Sequence, residues 1–195
     1  MFKQRGSSLL ELLVVLVILA LLATFTASAM STVLRRTDLR AAAAHVRAIL
    51  EAENAAGQAN GVYRGVRFFM LDDTWFYTVY VDGNGNGVLT DDINRGIDRP
   101  AGEPRRLLMP GTLARLGFPP SGAVDPDDGR PIPADARVVQ FGRSNICSFS
   151  DSGSCTAGTI YLTDGVSAGA MVRCSGAGGN IRVQYYGFTG SSWSN

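Results

Sequence analysis

The sequence predicts an α+β fold in which a long N-terminal α-helix, membrane-spanning in its first half, packs on a C-terminal antiparallel β-sheet domain. Three observations support this prediction. Between Leu9 and Met30 the only charged residue is Glu11, and helical spacing of apolar residues continues to about Gly57. From Gly61 onward, short β-branched and aromatic segments alternate with turns, and 23 of the 195 residues are glycine.

The apolar segment is long enough to cross a lipid bilayer. From residue 9 to residue 30, a rise of about 1.5 Å per residue gives about 33 Å, against about 30 Å for the hydrocarbon core. Basic residues lie on both sides of the segment, so its orientation stays open on charge alone. We therefore predict a transmembrane helix over about 9–30, inside a helix that covers 7–57.

An alternative is a secretory signal cut after Ala27-Ser28-Ala29, which would release a soluble periplasmic domain beginning at Met30. The apolar run exceeds the 7–15 residues of a usual signal core, and Glu11 near its start does not suit one. In a retained helix, an acid costs about 2.5–3.5 kcal/mol at the bilayer centre and less near its edge. A retained Glu11 is therefore expected to have a partner.

The residues Gly6-Ser7-Ser8-Leu9-Leu10-Glu11 and the following apolar run resemble the class III, prepilin-type leader of type IV pilins and type II secretion pseudopilins. The resemblance implies that prepilin peptidase removes residues 1–6 by cutting between Gly6 and Ser7, and that Ser7 is then N-methylated. Glu11 becomes the fifth residue, where it can neutralise the N-terminal amine of a neighbouring subunit during assembly. Two positions depart from the family, which most often has Phe at position 7 and, in many major pilins, Pro at position 28.

Beyond the membrane segment, helical spacing predicts one apolar face, formed by Leu39, Ala42, Ala43, Val46, Ile49 and Leu50. Residues 58–195 are predicted to form one β-rich globular domain. Its predicted strands are Val62–Met70, Thr74–Val81, Arg105–Met109, Arg137–Phe141, Gly158–Thr163, Ala170–Cys174 and Asn180–Tyr186.

The order of these segments is similar to the GspH/FimT group of minor pseudopilins. The resemblance rests on the helix Leu39–Ile49, the aromatic strand Trp75–Val81, the Asp-Gly-Asn-Gly-Asn-Gly loop after it and a last hairpin. It implies a pilin-like fold and a structural, non-enzymatic role. It also implies a single-pass protein of the bacterial inner membrane with a periplasmic domain, whose partners are other pilin subunits, the prepilin peptidase/methyltransferase and the inner-membrane assembly platform.

The segment Asp82-Gly83-Asn84-Gly85-Asn86-Gly87 is the best candidate metal site. Oxygen-bearing side chains at its first, third and fifth positions and glycine at its sixth match the start of a calcium loop. Ile93 stands where an EF-hand has its bidentate Glu, which excludes a complete EF-hand, and Asp91 and Asp92 are nearby substitutes. The candidate calcium ligands are Asp82, Asn84, Asn86, Asp91 and Asp92. The alternative is a metal-free glycine-rich turn.

The three cysteines lie in the β-rich domain. Cys147 and Cys155 would close a short disulfide loop, worth about 2.5 kcal/mol by loop entropy. Cys155–Cys174 is the competing pair, and one thiol is left over in either case. A disulfide requires an oxidising compartment outside the cytoplasm. No arrangement of these cysteines with the single His45 predicts a nucleophile, so we expect no enzyme activity.

DNA contact is the remaining function to weigh, because some pilins of the FimT type take part in DNA uptake. That resemblance would require a Gly-Arg-x-Arg element near the last hairpin, where this chain has Gly179-Asn180-Ile181-Arg182. Arg173 and Arg182 are the residues available for a DNA contact. Loss of residues 1–6 would remove two of the 18 basic residues and leave the 17 acidic ones in excess, so we do not expect nucleic-acid binding.

The sequence therefore predicts a minor pilin or pseudopilin subunit of a type IV pilus or a type II secretion pseudopilus. The second interpretation is a ligand-binding pilus-tip protein that contacts calcium or DNA. The third is the soluble periplasmic domain released by signal peptidase.

Overall fold

The computed structural model describes residues 9–120, 122–126, 129–133, 135–188 and 192–194, and leaves the side chains of residues 23–29 undescribed. The chain divides into two compact units, Met1–Arg35 and Arg36–Asn195. The first unit is helical over its described residues. The second contains the rest of that helix and all of the described β-strands, so the predicted α+β class is confirmed.

Helix α1 covers Leu9–Asn60 and ends in a hydrogen-bonded cap. The N–H of Val62 donates to the carbonyl of Gly57 at 3.1 Å, and the N–H of Gly61 donates to Gln58 at 3.4 Å. Gly61 has φ +63°, the left-handed conformation that glycine adopts without a Cβ clash. The helix therefore continues one turn past the predicted end at about Gly57 and stops at the Asn60-Gly61 pair.

Apart from a 3₁₀ helix over Gly176–Gly178, eleven described strands and one short α-helix follow α1. They are β1 Arg64–Leu71, β2 Thr74–Val81, α2 Thr90–Asn94, β3 Arg99–Pro100, β4 Arg105–Arg106, β5 Arg115–Leu116, β6 Val139–Gln140, β7 Ile146–Phe149, β8 Gly158–Thr163, β9 Gly169–Ser175, β10 Asn180–Tyr186 and β11 Trp193–Ser194. Two of the predicted strands, those over 105–109 and 137–141, shorten to the two-residue β4 and β6.

The strands form two antiparallel sheets. In the first sheet the order is β3-β2-β1-β7, with β4 also paired to β2. In the second sheet the order is β11-β10-β9-β8-β5, with β6 also paired to β8. The aromatic strand β2 pairs with β1 along its whole length, from Arg64 opposite Val81 to Leu71 opposite Thr74.

The C-terminal half of α1 provides one side of the hydrophobic core. Leu39, Ala43, Val46 and Leu50 are fully buried, which confirms the predicted apolar face. This face packs in one cluster with apolar side chains from both sheets, including Phe68, Phe149, Ile160, Val172 and Ile181. Burial of large side chains of this kind stabilises a domain by about 1.5–3 kcal/mol each.

Polar contacts fix α1 against the sheets at two further places. Glu53 and Arg64 of β1 form a largely buried ion pair, with 2.6 Å between Oε2 and Nε. Near the other end of the domain, the guanidinium group of Arg40 lies 4.7 Å from the ring centroid of Phe188, and that of Arg36 lies 5.3 Å from it. Arg36 also donates to the carbonyl of Gly187. The helix is thus anchored to the last hairpin by cation–π contacts.

Candidate functional site

The first unit exposes an aliphatic helix surface. From Leu9 to Leu22, the described leucine, isoleucine and valine side chains are between 48 and 83 % exposed. A contiguous apolar surface of this size usually marks a protein or lipid contact. Glu11 lies within this surface, and its side chain is also exposed. An acid embedded in aliphatic side chains loses its water when that surface is covered, so covering it favours a cationic partner.

The predicted cleavage and methylation residues, Gly6 and Ser7, lie outside the described residues. The predicted span over about 9–30 includes residues 23–29, whose side chains are also outside the described part. Where side chains are described, no helix is both long enough and apolar enough to cross a membrane. The span therefore stays a prediction.

The predicted calcium loop is organised by the carboxylate of Asp82. Its Oδ1 accepts hydrogen bonds from the backbone N–H groups of Asn84 at 2.8 Å and Gly85 at 3.0 Å. Its Oδ2 accepts from the N–H of Gly87 at 2.8 Å. Gly85 and Gly87 have φ values of +82° and +89°, so both positions favour glycine. The turn is therefore closed by hydrogen bonds between the chain's own groups.

A second acid, Asp92, accepts hydrogen bonds from both asparagine side chains of the loop. It lies on α2 and is 5 % exposed. Its Oδ2 accepts from Nδ2 of Asn86 at 2.9 Å and from Nδ2 of Asn84 at 3.3 Å. Asp91, its neighbour on α2, is exposed. Four of the five predicted calcium ligands thus belong to one hydrogen-bonded loop, whereas Asp91 faces solvent.

The asparagine amides in this cluster direct their N–H groups at the carboxylate. Calcium binds oxygen atoms, so Asn84 and Asn86 would have to turn their amide oxygens toward the ion. Among the described residues, no three His, Cys, Asp or Glu side chains come together in a group that could hold a metal ion. In this geometry the carboxylate oxygens accept hydrogen bonds from the chain's own N–H groups, and calcium binding stays a prediction.

Sequence reasoning missed a third acid, Asp98, which closes the loop from the far side. Asp98 is 1 % exposed, and its two oxygens each serve one backbone donor. Oδ1 accepts from the N–H of Gly83 at 3.2 Å, and Oδ2 accepts from the N–H of Leu89 at 2.9 Å. The sequence motif does not identify Asp98, because this residue lies outside the Asp-Gly-Asn-Gly-Asn-Gly segment. Its role depends on the folded positions of the two N–H groups that it accepts from.

The candidate DNA contact consists of Arg173 and Arg182, which are directly opposite each other on β9 and β10. Arg182 is exposed, but Arg173 has other contacts. Its Nη2 lies 3.6 Å from the Asp125 carboxylate, and its Nε donates to the hydroxyl of Thr159 at 3.1 Å. One of the two positive charges is therefore partly neutralised, and phosphate affinity depends on the number of such charges.

The three cysteines are buried free thiols that lie together. The Sγ atoms of Cys147 and Cys174 are 3.8 Å apart, a pair that sequence reasoning did not consider. A hydrogen bond with Cys174, burial and the charge of Cys174 raise the pKa of the Cys155 thiol. A hydrogen bond with Cys147 and burial likewise raise the pKa of Cys174. Cys174 is thus the neighbour shared by the other two thiols.

The chain is similar to known proteins at its N-terminus. The family described as a prokaryotic N-terminal methylation motif matches residues 1–27. The match includes the predicted cleavage site and Glu11, and it supports a type IV pilin-like protein that prepilin peptidase processes and that assembles with other pilins. No curated protein matches the chain, and no solved structure matches it.

Proposed function

We propose that this protein is a minor pilin or pseudopilin subunit, a structural component of a type IV pilus or a type II secretion pseudopilus. The observation that carries the proposal is the match of residues 1–27 to the N-terminal methylation motif. At residue level, the proposal is cleavage between Gly6 and Ser7, N-methylation of Ser7 and retention of Glu11. The GspH/FimT subgroup is its finer form, supported by the resemblance of the aromatic strand and the following loop.

The exposed aliphatic helix supports a role in assembly. The leucine, isoleucine and valine side chains from Leu9 to Leu22 are about half exposed or more within the described part of the first unit. Lipid would cover this surface before assembly, and the helices of neighbouring subunits would cover it afterwards. Each removes apolar area from water, which is favourable by about 25 cal/mol per Å² buried. The proposed location is therefore the inner membrane, crossed once, with the domain in the periplasm and the assembly platform as a partner.

Glu11 provides the directional element that an aliphatic surface lacks. Packing between leucine and valine side chains is non-directional, so the same helices could slide past each other at little cost. A buried carboxylate that must meet an ammonium group selects one register, since an unpaired buried charge is strongly unfavourable. We therefore propose that Glu11 pairs with the N-methylated amine of Ser7 in the adjacent subunit.

Mass spectrometry of the mature N-terminus tests the processing. The full chain is expressed with a prepilin peptidase and recovered from membranes. A chain that begins at N-methylated Ser7 is expected. Gly6→Val should leave the leader uncut, because the valine side chain would lie directly before the bond that the peptidase cuts. A mature chain beginning at Met30 would overturn the proposal in favour of a soluble domain released by signal peptidase.

Substitution of Glu11 tests the role in assembly. Glu11→Ala should enter the membrane normally, because removal of a charge from an apolar helix only favours insertion. Its content in isolated filaments should fall at least tenfold, since the subunit amine loses its partner. Glu51→Ala is the matched control, because this acid of the same helix makes an exposed pair with Arg47 worth only a few tenths of a kcal/mol. Equal filament content of the two variants would refute the register role.

A second candidate, a ligand-binding tip protein, is favoured by the convergence of Asn84, Asn86 and Asp92 in one loop. Calcium binding predicts a rise in melting temperature on addition of Ca²⁺ but not of equimolar Mg²⁺, since Mg²⁺ requires near-ideal octahedral geometry whereas Ca²⁺ accepts irregular sets of oxygen ligands. The rise should disappear in Asp92→Asn. An unchanged melting temperature in millimolar Ca²⁺ would remove calcium from this candidate.

A further inference from the structure

The three cysteines form a cluster that joins the two sheets. Cys147 lies on β7 of the first sheet, opposite Val66 of β1. Cys174 lies on β9 of the second sheet, between Gly158 of β8 and Ile181 of β10. The two sulfur atoms are in contact at 3.8 Å, although the residues are 27 positions apart in the chain. A bond between them would connect the sheets covalently.

The contact geometry favours this pair. Cys147 is fully buried and Cys174 is 2 % exposed, and both belong to the hydrophobic core cluster. A disulfide bond is about 2.05 Å long, so each sulfur would have to move by about 0.9 Å from its present position. Displacements of that size are within reach of side-chain torsions. The strands that carry both residues can therefore keep their hydrogen-bonded partners.

Cys155 is the most exposed member of the cluster. It lies in the loop between β7 and β8, where its N–H donates to the carbonyl of Gly176 at 3.0 Å. It is 9 % exposed and lines an open cavity of about 420 Å³. Six of the fourteen residues that line this cavity bear a hydroxyl group, Ser144 and Ser148 among them. Cys155 also belongs to the core cluster, but of the three cysteines it is the one that borders space open to a small oxidant.

We propose that Cys147 and Cys174 form a disulfide bond that cross-links the two sheets, and that Cys155 is the thiol through which the oxidant reaches them. The oxidant is an external disulfide, either a small molecule or a protein. The raised pKa values of Cys155 and Cys174 slow the exchanges in which these two thiols attack, because the thiolate is the reacting form.

The proposed sequence consists of three thiol–disulfide exchanges. First, the Cys155 thiolate attacks one sulfur of the oxidant, whose S–S bond breaks and whose other sulfur leaves as a thiolate and takes up a proton. Second, the Cys174 thiolate attacks Sγ of Cys155 and releases the remaining half of the oxidant as a thiol. Third, the Cys147 thiolate attacks Sγ of Cys174, so that Cys155 is restored. In total, two protein thiols are oxidised and one external disulfide is reduced to two thiols.

Oxidation of the full chain in detergent with oxidised glutathione tests the proposal. The protein is fully reduced, freed of reductant, mixed with the oxidant and quenched at intervals with an alkylating reagent. Peptide mapping by mass spectrometry should show a transient glutathione adduct on Cys155 and a lasting Cys147–Cys174 bond. The oxidised protein should melt about 10 °C higher than the reduced protein, because the bond constrains the unfolded chain.

Variants separate the roles of the thiols. Cys155→Ser should give the same Cys147–Cys174 product at least tenfold more slowly, and Cys155→Ala guards against a folding defect of the first variant. Ser144→Ala, in the same cavity wall, is the matched control and should react at the wild-type rate. A lasting bond from Cys155 to Cys147 or Cys174 would overturn the proposal. Wild-type rates in both Cys155 variants would overturn it as well.

The inference rests on the proposed function at one point only. In the cell the bond persists if the domain lies outside the cytoplasm, which follows from the proposed pilin pathway. The oxidation experiment with purified protein does not depend on N-terminal processing. Failure of the disulfide would leave processing at Ser7 untouched, and failure of processing would leave the thiol chemistry untouched.

Discussion

Replacement of Asp98 by alanine tests whether the loop after β2 is held by its own carboxylates. Asp98 accepts one backbone N–H on each oxygen, from Gly83 and from Leu89, and it is 1 % exposed. Hydrogen bonds to a charged group contribute about 1.5–3 kcal/mol each, and water cannot easily replace a partner at this depth. Asp98→Ala should therefore lower the free energy of unfolding by about 3 kcal/mol.

Asparagine at position 98 separates the charge from the shape. It keeps one oxygen acceptor, so one of the two N–H groups keeps a partner while the other faces an amide N–H. Asp98→Asn should therefore cost about 2 kcal/mol, less than alanine but more than a surface change. The assay is urea unfolding of residues 36–195, the compact unit that contains both sheets, in buffer with a chelator so that calcium plays no part.

The matched control is Asp91→Ala, an acid of the same segment whose side chain is exposed. Its unfolding free energy should stay within about 0.5 kcal/mol of wild type. In a unit of this size, the Asp98→Ala loss corresponds to a melting temperature about 6–12 °C lower. If Asp98→Ala and Asp91→Ala unfolded at the same urea concentration, the loop would not depend on the buried carboxylate and the reasoning would fail.

Three further predictions concern other parts of the domain. Gly158→Ala should cost about 3 kcal/mol, because its Cβ would overlap Phe141, whereas Gly102→Ala points into open space and should be close to neutral in a thermal melt. Burial raises the pKa of the Tyr185 hydroxyl in the folded protein. The folding stability that this group contributes is present below about pH 10 and should be lost as the pH rises through that raised pKa, which absorbance titration measures. Arg40→Ala should lower the free energy of unfolding by about 1 kcal/mol in urea, because its cation–π contacts with the last hairpin are lost.

Local patterns with a strong period were predictable from the sequence. Four buried residues of α1, from Leu39 to Leu50, repeat with helical spacing, and burial against the sheets requires that spacing. The strand Thr74–Val81 was predicted at its observed bounds, because all eight of its residues are aromatic or β-branched. Neither prediction depends on distant parts of the chain.

Features set by distant contacts were not predictable. Strand β7 is only four residues long, Ile146–Phe149, and is a strand because β1 provides its partner. From the motif alone, Asp91 and Asp92 were equally good candidate ligands. In the structure, the single turn of α2 places Asp92 on the buried side and Asp91 on the exposed side. The Cys147–Cys174 contact requires two sheets to meet, whereas sequence spacing favoured the nearer pair, Cys147 and Cys155.

The two parts of α1 contain similar apolar residues but have different surroundings. From Leu39 to Leu50 the apolar side chains are covered by the domain's own sheets, so this part of the helix needs nothing further. From Leu9 to Leu22 the aliphatic side chains point in every direction and remain exposed within their own unit. A helix that is apolar on all sides is stable only when other molecules surround it. Under the proposed function, Glu11 makes these surroundings selective, because lipid can cover leucine and valine but a desolvated carboxylate is favoured by a cationic partner.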